Sequence, residues 1–223
     1  MMQMNRALIF DLDGTLWDAT FAIRDAWDEA GKRFFGPRYE LTHDAVQGLM
    51  GKTMDEIANE LIPQYADREL AQRFIDSCFQ IEVDYLSKHP GALFPNEVPV
   101  LSELARDYDL YIVSNCQAGY IETFLPLVPK GLFKGHMCWS DTKLDKRFTL
   151  KALVERYGLA ECVYIGDTEK DERETHAAGL PFIYASYGFG GAINPEGVAS
   201  SFKELPAVVA KVFADKKGLG FQE

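Results

Sequence analysis

The sequence predicts a doubly wound α/β fold, a parallel sheet covered by helices on both faces, with a small all-helical insertion near the N-terminus. Three observations carry that expectation. Short unbroken apolar runs each end in a polar or glycine-containing loop, amphipathic segments alternate with them, and one long stretch has helical periodicity throughout. Unbroken apolarity marks strands whose two faces are both covered. Alternation of strand and helix is the pattern of a parallel sheet.

In chain order, the first strand is Ala7-Leu8-Ile9-Phe10, running into Asp11. Residues 17–89 follow without a convincing strand and read as a helical cap. Ile23, Ala26, Trp27 and Ala30 form one apolar stripe, and Leu70, Phe74, Cys78, Ile81 and Tyr85 another, at spacings of three and four. Thr53-Met54-Asp55-Glu56 has the form of a capping box. His89-Pro90-Gly91 stops the last cap helix and serves as a hinge back into the core. The division expected is therefore 1–16 plus 90–223 as core and 17–89 as cap. A helix beginning near Asn96 carries Val100, Leu101 and Leu104 on one face. Leu110-Tyr111-Ile112-Val113 is a second strand, and a helix near Phe148 presents Leu150, Leu153, Val154 and Tyr157. Val163-Tyr164-Ile165 and Pro181-Phe182-Ile183-Tyr184 complete the strands.

The 223 residues, 47% hydrophobic and 26% charged, suffice for one sizeable domain carrying an insertion. A formal net charge of −11, with Lys and Arg scattered, argues against a nucleic-acid partner. Cys78, Cys116, Cys138 and Cys162 show neither C-x-x-C pairing nor metal-ligand spacing with the histidines, which fits reduced thiols in a cytoplasm. No apolar run approaches the roughly 20 residues of a membrane helix and no signal peptide opens the chain. A cytoplasmic protein with no membrane partner is expected.

Phe10-Asp11-Leu12-Asp13-Gly14-Thr15-Leu16 places two carboxylates one residue apart at a strand end. Turn caps are the bland reading, and a calcium loop lacks its later ligands. Gly166-Asp167-Thr168-Glu169-Lys170-Asp171 adds two more carboxylates after another apolar strand. Alone they suit a helix N-terminus. Together the two acidic strand ends suit a hard, oxygen-preferring cation. Ser114-Asn115 offers a hydroxyl, an amide and backbone N–H groups to an anion, against the plainer role of N-cap. In a parallel sheet all three strand ends converge on one edge, where ligands bind.

Taken in order, these motifs resemble the haloacid dehalogenase-like superfamily: D-x-D-x-[TV] after the first strand, Ser or Thr after the second, a Lys, then an acidic G-D-x-x-x-D loop. The resemblance covers nearly the whole chain. A helical insertion right after the first motif resembles subfamily I, and phosphoglycolate phosphatase-like enzymes are the nearest group. The resemblance implies a Mg²⁺-dependent phosphatase acting on a small phosphorylated metabolite, as a monomer or homodimer. Asp11 is then the nucleophile that forms an aspartyl-phosphate, and Asp13 the acid that protonates the leaving oxygen and later activates water. Mg²⁺ is held by the Asp11 side chain, the Asp13 backbone carbonyl and Asp167, with Asp171 in support. Ser114, Asn115, Thr15 and a lysine hold the phosphoryl group.

The family's Lys-Pro is absent. Lys146, just ahead of an amphipathic helix, is the best match, with Lys143 next and Lys151 too far along that helix. Asp13 argues against a dehalogenase. A phosphomutase keeps every motif and ranks second; a non-catalytic relative ranks third, because loss of function normally removes a carboxylate and Asp11, Asp13, Ser114 and Asp167 are intact. Trp17, Gly51 and Lys52 are candidates for specificity. Gly48-Leu49-Met50-Gly51-Lys52-Thr53 resembles a P-loop only at its end and reads as a cap loop. Tyr187-Gly188-Phe189-Gly190-Gly191 reads as a turn, and His43, His89, His136 and His176 as structural.

Overall fold

The computed structural model describes residues 6–52, 54–62 and 67–218. Strand β1 (Arg6–Phe10) lies at the centre of a sheet, between β4 (Asp109–Ser114) and β6 (Glu161–Gly166). β5 (Phe133–Cys138) extends one edge, and β7 (Phe182–Ala185) followed by β8 (Gly197–Ala199) the other. All six are parallel.

Both faces are covered, as the apolar runs require. Leu8, Phe10, Leu110, Ile112, Val163 and Ile165 point to one side. There they meet Val100, Leu101 and Leu104 of α5 (Glu97–Leu104) and Val209, Val212 and Phe213 of α10 (Leu205–Gly218). Ala7, Ile9, Tyr111, Val113 and Tyr164 point to the other side, against Leu150 and Leu153 of α8 (Lys146–Tyr157). The chain order therefore reverses direction across the sheet at β1, and the crevice beyond its carboxyl end is the ligand position of such folds. Tyr157 and Phe148, expected to belong to the helical stretch, lie 37% and 43% exposed, at the rim of that face.

Between β1 and α5 the chain makes four helices: α1 (Thr20–Phe35), α2 (His43–Gln47), α3 (Met54–Leu61) and α4 (Arg68–Leu86). The stripe Ile23, Ala26, Trp27 and Ala30 is buried, as are Phe74 and Cys78 of the opposing stripe. α1 and α4 pack together along these stripes, closed at one end by an aromatic cluster in which the Phe35 and Phe74 ring centroids are 4.8 Å apart. Truncation of a buried anchor such as Trp27 to Ala costs about 3–5 kcal/mol at sites of this kind.

The segment is bracketed by a feature the sequence reading did not foresee. β2 (Trp17–Asp18) pairs antiparallel with β3 (Ala92–Leu93), making a two-stranded ribbon at the neck of the helices. Two residues are too few for a period to register. Gly91 sits against this ribbon so closely that a Cβ there would lie 2.9 Å from Ala19 Cα and Asp18 O. The edge strands β5 and β8 were likewise not anticipated. Phe133-Lys134-Gly135-His136 is only partly apolar, as an edge permits, and β8 has three residues. The capping box at Thr53 lies outside the described residues. Among the described residues no helix is long and apolar enough to cross a membrane.

Candidate active site

Asp11 leaves β1 with its amide bonded to Ile165 O of β6 at 2.8 Å, so its side chain starts from the carboxyl edge of the central strand. It is 2% exposed. Asp167 follows β6 on the same edge, and Asp171 stands one turn into α9 (Glu169–Ala178). Ligand oxygens of Asp11, Asp167 and Asp171 all lie within 4.8 Å of one another.

Lys146 reaches into this cluster from the first residue of α8, a position where the helix dipole disfavours a cation. It is 2% exposed, with Nζ 2.5 Å from Asp171 Oδ1 and 3.0 Å from Asp11 Oδ1. The Tyr164 ring lies under the ammonium, 5.4 Å from its centroid, and Tyr164 OH is itself tied to Val113 O. A lysine buried at such a helix start is held by its carboxylate partners. Lys143 lies elsewhere, in a cleft beside Trp139 and Gln117, and Lys151 is exposed.

Asp171 is doubly occupied. Its Oδ2 accepts from the Thr168 hydroxyl at 2.6 Å and caps α9, while Oδ1 takes Lys146. Asp167 keeps an oxygen in reserve, its Oδ1 buried without a hydrogen-bond partner, whereas Asp11 Oδ1 has Lys146 Nζ at 3.0 Å. Buried carboxylate oxygens left without donors are costly. Such an oxygen on Asp167, in an all-oxygen donor set with Asp11 and Asp171, fits a hard divalent cation.

What aims Asp167 is a loop that carries no acid or base. Phe189 N–H donates to Asp167 Oδ2 at 2.7 Å, leaving Oδ1 free. Gly188 lets that loop close in, since a Cβ there would fall 2.3 Å from Gly14 O and 2.4 Å from Asp167 Cβ. Gly14 itself has φ +75°, and a Cβ on it would stand 2.2 Å from Asp167 Oδ2. The stretch 187–191 is thus a turn, as the sequence suggested, and also the clamp on Asp167, which it did not suggest. A backbone donor and missing side chains leave no residue-type signal beyond the glycines themselves.

Asp13 stands apart from the carboxylate cluster. Its Oδ1 accepts from Trp17 Nε1 at 2.9 Å and Tyr120 OH at 2.7 Å, so Oδ2 is the oxygen left to carry a proton. Trp17 is fully buried and serves here as a donor, which removes it from the specificity candidates. Tyr120, from α6 (Tyr120–Phe124), was not foreseen, because nothing in its spacing from Ser114 marks it.

Asp11, Asp13, Ser114 and Cys116 wall a cavity of about 30 Å³, roughly the room of a single water, together with Gly51 and Lys52 of the helical segment. Asn115 also borders it, and its Nδ2 donates one N–H to Gly51 O at 2.9 Å. Thr15 does not reach the wall. It is fully buried, with its hydroxyl unpartnered and its carbonyl held by Tyr187 OH. Two further contacts hold the helices down on the core: Gln117 Nε2 to Glu82 Oε2 at 2.7 Å and Lys170 Nζ to Glu56 Oε2 at 2.5 Å.

The electrostatics follow from burial. Desolvation lifts the Asp11 carboxyl to about 7, against the pull of Lys146, and Asp13 to about 6, against its bonds from Tyr120 and Trp17. Asp167 is raised by burial and by the charges of Asp171 and Asp11. Burial lowers Lys146, but Asp11 and Asp171 outweigh it and hold the ammonium above its ordinary value. Three acids share one internal cation, and a second positive charge would relieve the remainder.

The sequence profile of the haloacid dehalogenase-like hydrolases matches residues 8–185. A phosphoglycolate phosphatase from Photorhabdus laumondii subsp. laumondii is 24% identical over 221 residues, 92% of each chain. Among solved structures, a predicted phosphoglycolate phosphatase from Haemophilus somnus 129pt superposes with a TM-score of 0.79 at 18% identity, covering 94% of this chain and 100% of the other. CbbY from Rhodobacter sphaeroides, in complex with xylulose-(1,5)bisphosphate, gives a TM-score of 0.75 at 19% identity, covering 91% and 96%. At these identities the structural likeness concerns the fold.

Proposed function

Because the chain belongs to the haloacid dehalogenase-like hydrolases, we propose that it is a Mg²⁺-dependent phosphatase working through an aspartyl-phosphate, with a small phosphorylated metabolite as substrate. The observation that carries this reading is the meeting of Asp11, Lys146 and the unpartnered Asp167 oxygen at the carboxyl end of the central strand, beside a cavity bordered by Asp13 and Ser114. Asp11 attacks phosphorus. Asp13, pinned through Oδ1 by Trp17 and Tyr120, gives its proton to the leaving oxygen and then takes one from the hydrolytic water. Ser114 and Lys146 hold the phosphoryl oxygens, whose charge they stabilise most in the transition state.

Asp11, Asp167 and the Asp13 backbone carbonyl would hold Mg²⁺, with Asp171 in support by way of Lys146. The bound ion offsets the repulsion between an anionic nucleophile and an anionic ester. Residues 17–89 act as a cap: the cavity is too small for an ester while Asn115 grips Gly51, so the cap opens to admit substrate and closes to exclude water. Thr15 supports the turn rather than the phosphoryl group.

The test is release of inorganic phosphate from a panel of small monoesters, phosphoglycolate first, with Mg²⁺ and with chelator, for the wild type and Asp11→Asn. Metal-dependent release that disappears in Asp11→Asn is the expected result. Turnover retained by the variant would sink the nucleophile assignment.

A further inference from the structure

Beyond the carboxylates, one pair of thiols has no part in the reaction, and one of the two, Cys116, lines the cavity. Ser114 and Cys138 are Cα partners on the parallel strands β4 and β5, so the turn leaving β4 carries Cys116 back over the end of β5. The Cys116 and Cys138 thiols are hydrogen-bonded to each other, and the Cys116 thiol also meets the Ser114 side chain. Both cysteines are 6% exposed and free, and Cys116 forms part of the cavity wall. Cys78 lies on α4 and Cys162 on the far face of the sheet, so neither joins the pair.

We propose that Cys116 and Cys138 are a redox modification site, which hydrogen peroxide oxidises to a disulfide that pulls the Ser114 turn out of position. A cavity of about 30 Å³ admits a molecule little larger than water; Cys116 is in its wall, and Cys138 is one hydrogen bond from that wall. Cys138 reacts first, because accepting the Cys116 hydrogen bond makes its thiol the more acidic of the two. Its sulfur attacks one peroxide oxygen, the O–O bond breaks, and one water leaves behind a sulfenic acid. The Cys116 sulfur then attacks that sulfur and expels the second oxygen as water. Two thiols lose two electrons and two protons, and the peroxide takes up both.

Contraction from hydrogen-bond contact to a bond of about 2.05 Å draws the sulfurs together by on the order of 1 Å. Ser114 is two residues away and loses the Cys116 thiol as neighbour. A displacement of about 1 Å in a positioning group costs on the order of 10²-fold in rate. The size of that loss rests on the phosphatase reading, whereas the disulfide does not.

The experiment treats the metal-loaded full chain with hydrogen peroxide, alkylates the remaining thiols and digests with trypsin, which cuts between the two cysteines at Lys130 and Lys134. The expected result is a cross-linked peptide pair holding Cys116 and Cys138, an accompanying loss of phosphate release of about 100-fold, and recovery of both with dithiothreitol. Cys138→Ser, which retains an acceptor for the Asp141 amide, should resist peroxide, and Cys116→Ser should form no cross-link. Full alkylation of both cysteines after peroxide overturns the proposal, as does a Cys138→Ser enzyme that peroxide inactivates like the wild type. A cross-linked chain that never hydrolysed any ester counts against the phosphatase reading and leaves the disulfide standing.

Discussion

Replacing Lys146 by methionine keeps an unbranched side chain one atom shorter and removes its charge from the middle of three buried acids. Lys146, Asp11 and Asp171 are 2%, 2% and 1% exposed, and the ammonium lies 3.0 Å and 2.5 Å from the two carboxylates. At an effective dielectric of ~20, each contact at such a distance is worth about 5 kcal/mol of gross attraction. The lysine's own desolvation, no longer incurred in the variant, offsets much of that, and breaking one side of a buried ion pair costs about 3–5 kcal/mol net. For a chain of this size each kcal/mol moves the midpoint of thermal unfolding by about 2–4 °C, so Lys146→Met should melt roughly 6–20 °C lower in chelator. Circular dichroism gives the measurement. A saturating divalent cation should recover more of the loss in the variant than it adds to the wild type, since it supplies the missing positive charge. Exposed Lys151→Met is the control and should shift by no more than about 2 °C. A Lys146→Met midpoint within that margin of wild type in chelator would refute the reasoning, because the acids would then need no internal cation.

Gly188→Ala places a methyl 2.3 Å from Gly14 O, so the loop must back away and take the Phe189 amide off Asp167. Divalent-cation affinity by titration calorimetry should fall about 10–100-fold, as for other lost outer-shell contacts, with the far-ultraviolet spectrum unchanged; unchanged affinity would show that the loop does not aim the carboxylate. Glu97 is 1% exposed with Oε1 unpartnered, and burial raises it from 4.5 to about 8, opposed by its bond from the Phe94 amide. The folded state therefore keeps a proton that the unfolded chain releases, so stability falls as pH climbs from about 4.5 to about 8 and levels above it. Glu97→Gln should remove this residue's share of the decline and leave the shares of Asp11 and Asp13 in place. Equal slopes of melting temperature against pH for the two proteins would contradict the assignment.

Much of this was legible because the central strands must be apolar on both faces. Ala7–Phe10, Leu110–Val113 and Val163–Ile165 each announce a strand and, by where they stop, the position of an acid or a hydroxyl. Edge strands carry no such obligation, and Lys134, Gly135 and His136 hid β5. In the site, side chains with a charge to declare were visible and their supports were not. Tyr120 and Trp17 hold Asp13 through single donors, and Phe189 holds Asp167 through its backbone. Thr15 shows the converse: a residue type that suits phosphate, turned by the local fold into the packed interior. Asn115, read from the sequence as a phosphoryl contact, borders the cavity and also donates to the carbonyl of Gly51 from the helical segment.

The short ribbon of Trp17–Asp18 with Ala92–Leu93 makes the helical segment a cassette. Its two ends lie side by side as neighbouring strands, so the core experiences whatever is spliced there as a closed loop, and closure grows only logarithmically with length. About seventy residues can be lengthened, shortened or exchanged between Asp18 and Ala92 with little strain passed to the six-stranded sheet. The acids stay on the sheet while the enclosure above them is free to diverge, so this architecture can change what it admits at a rate independent of how it reacts.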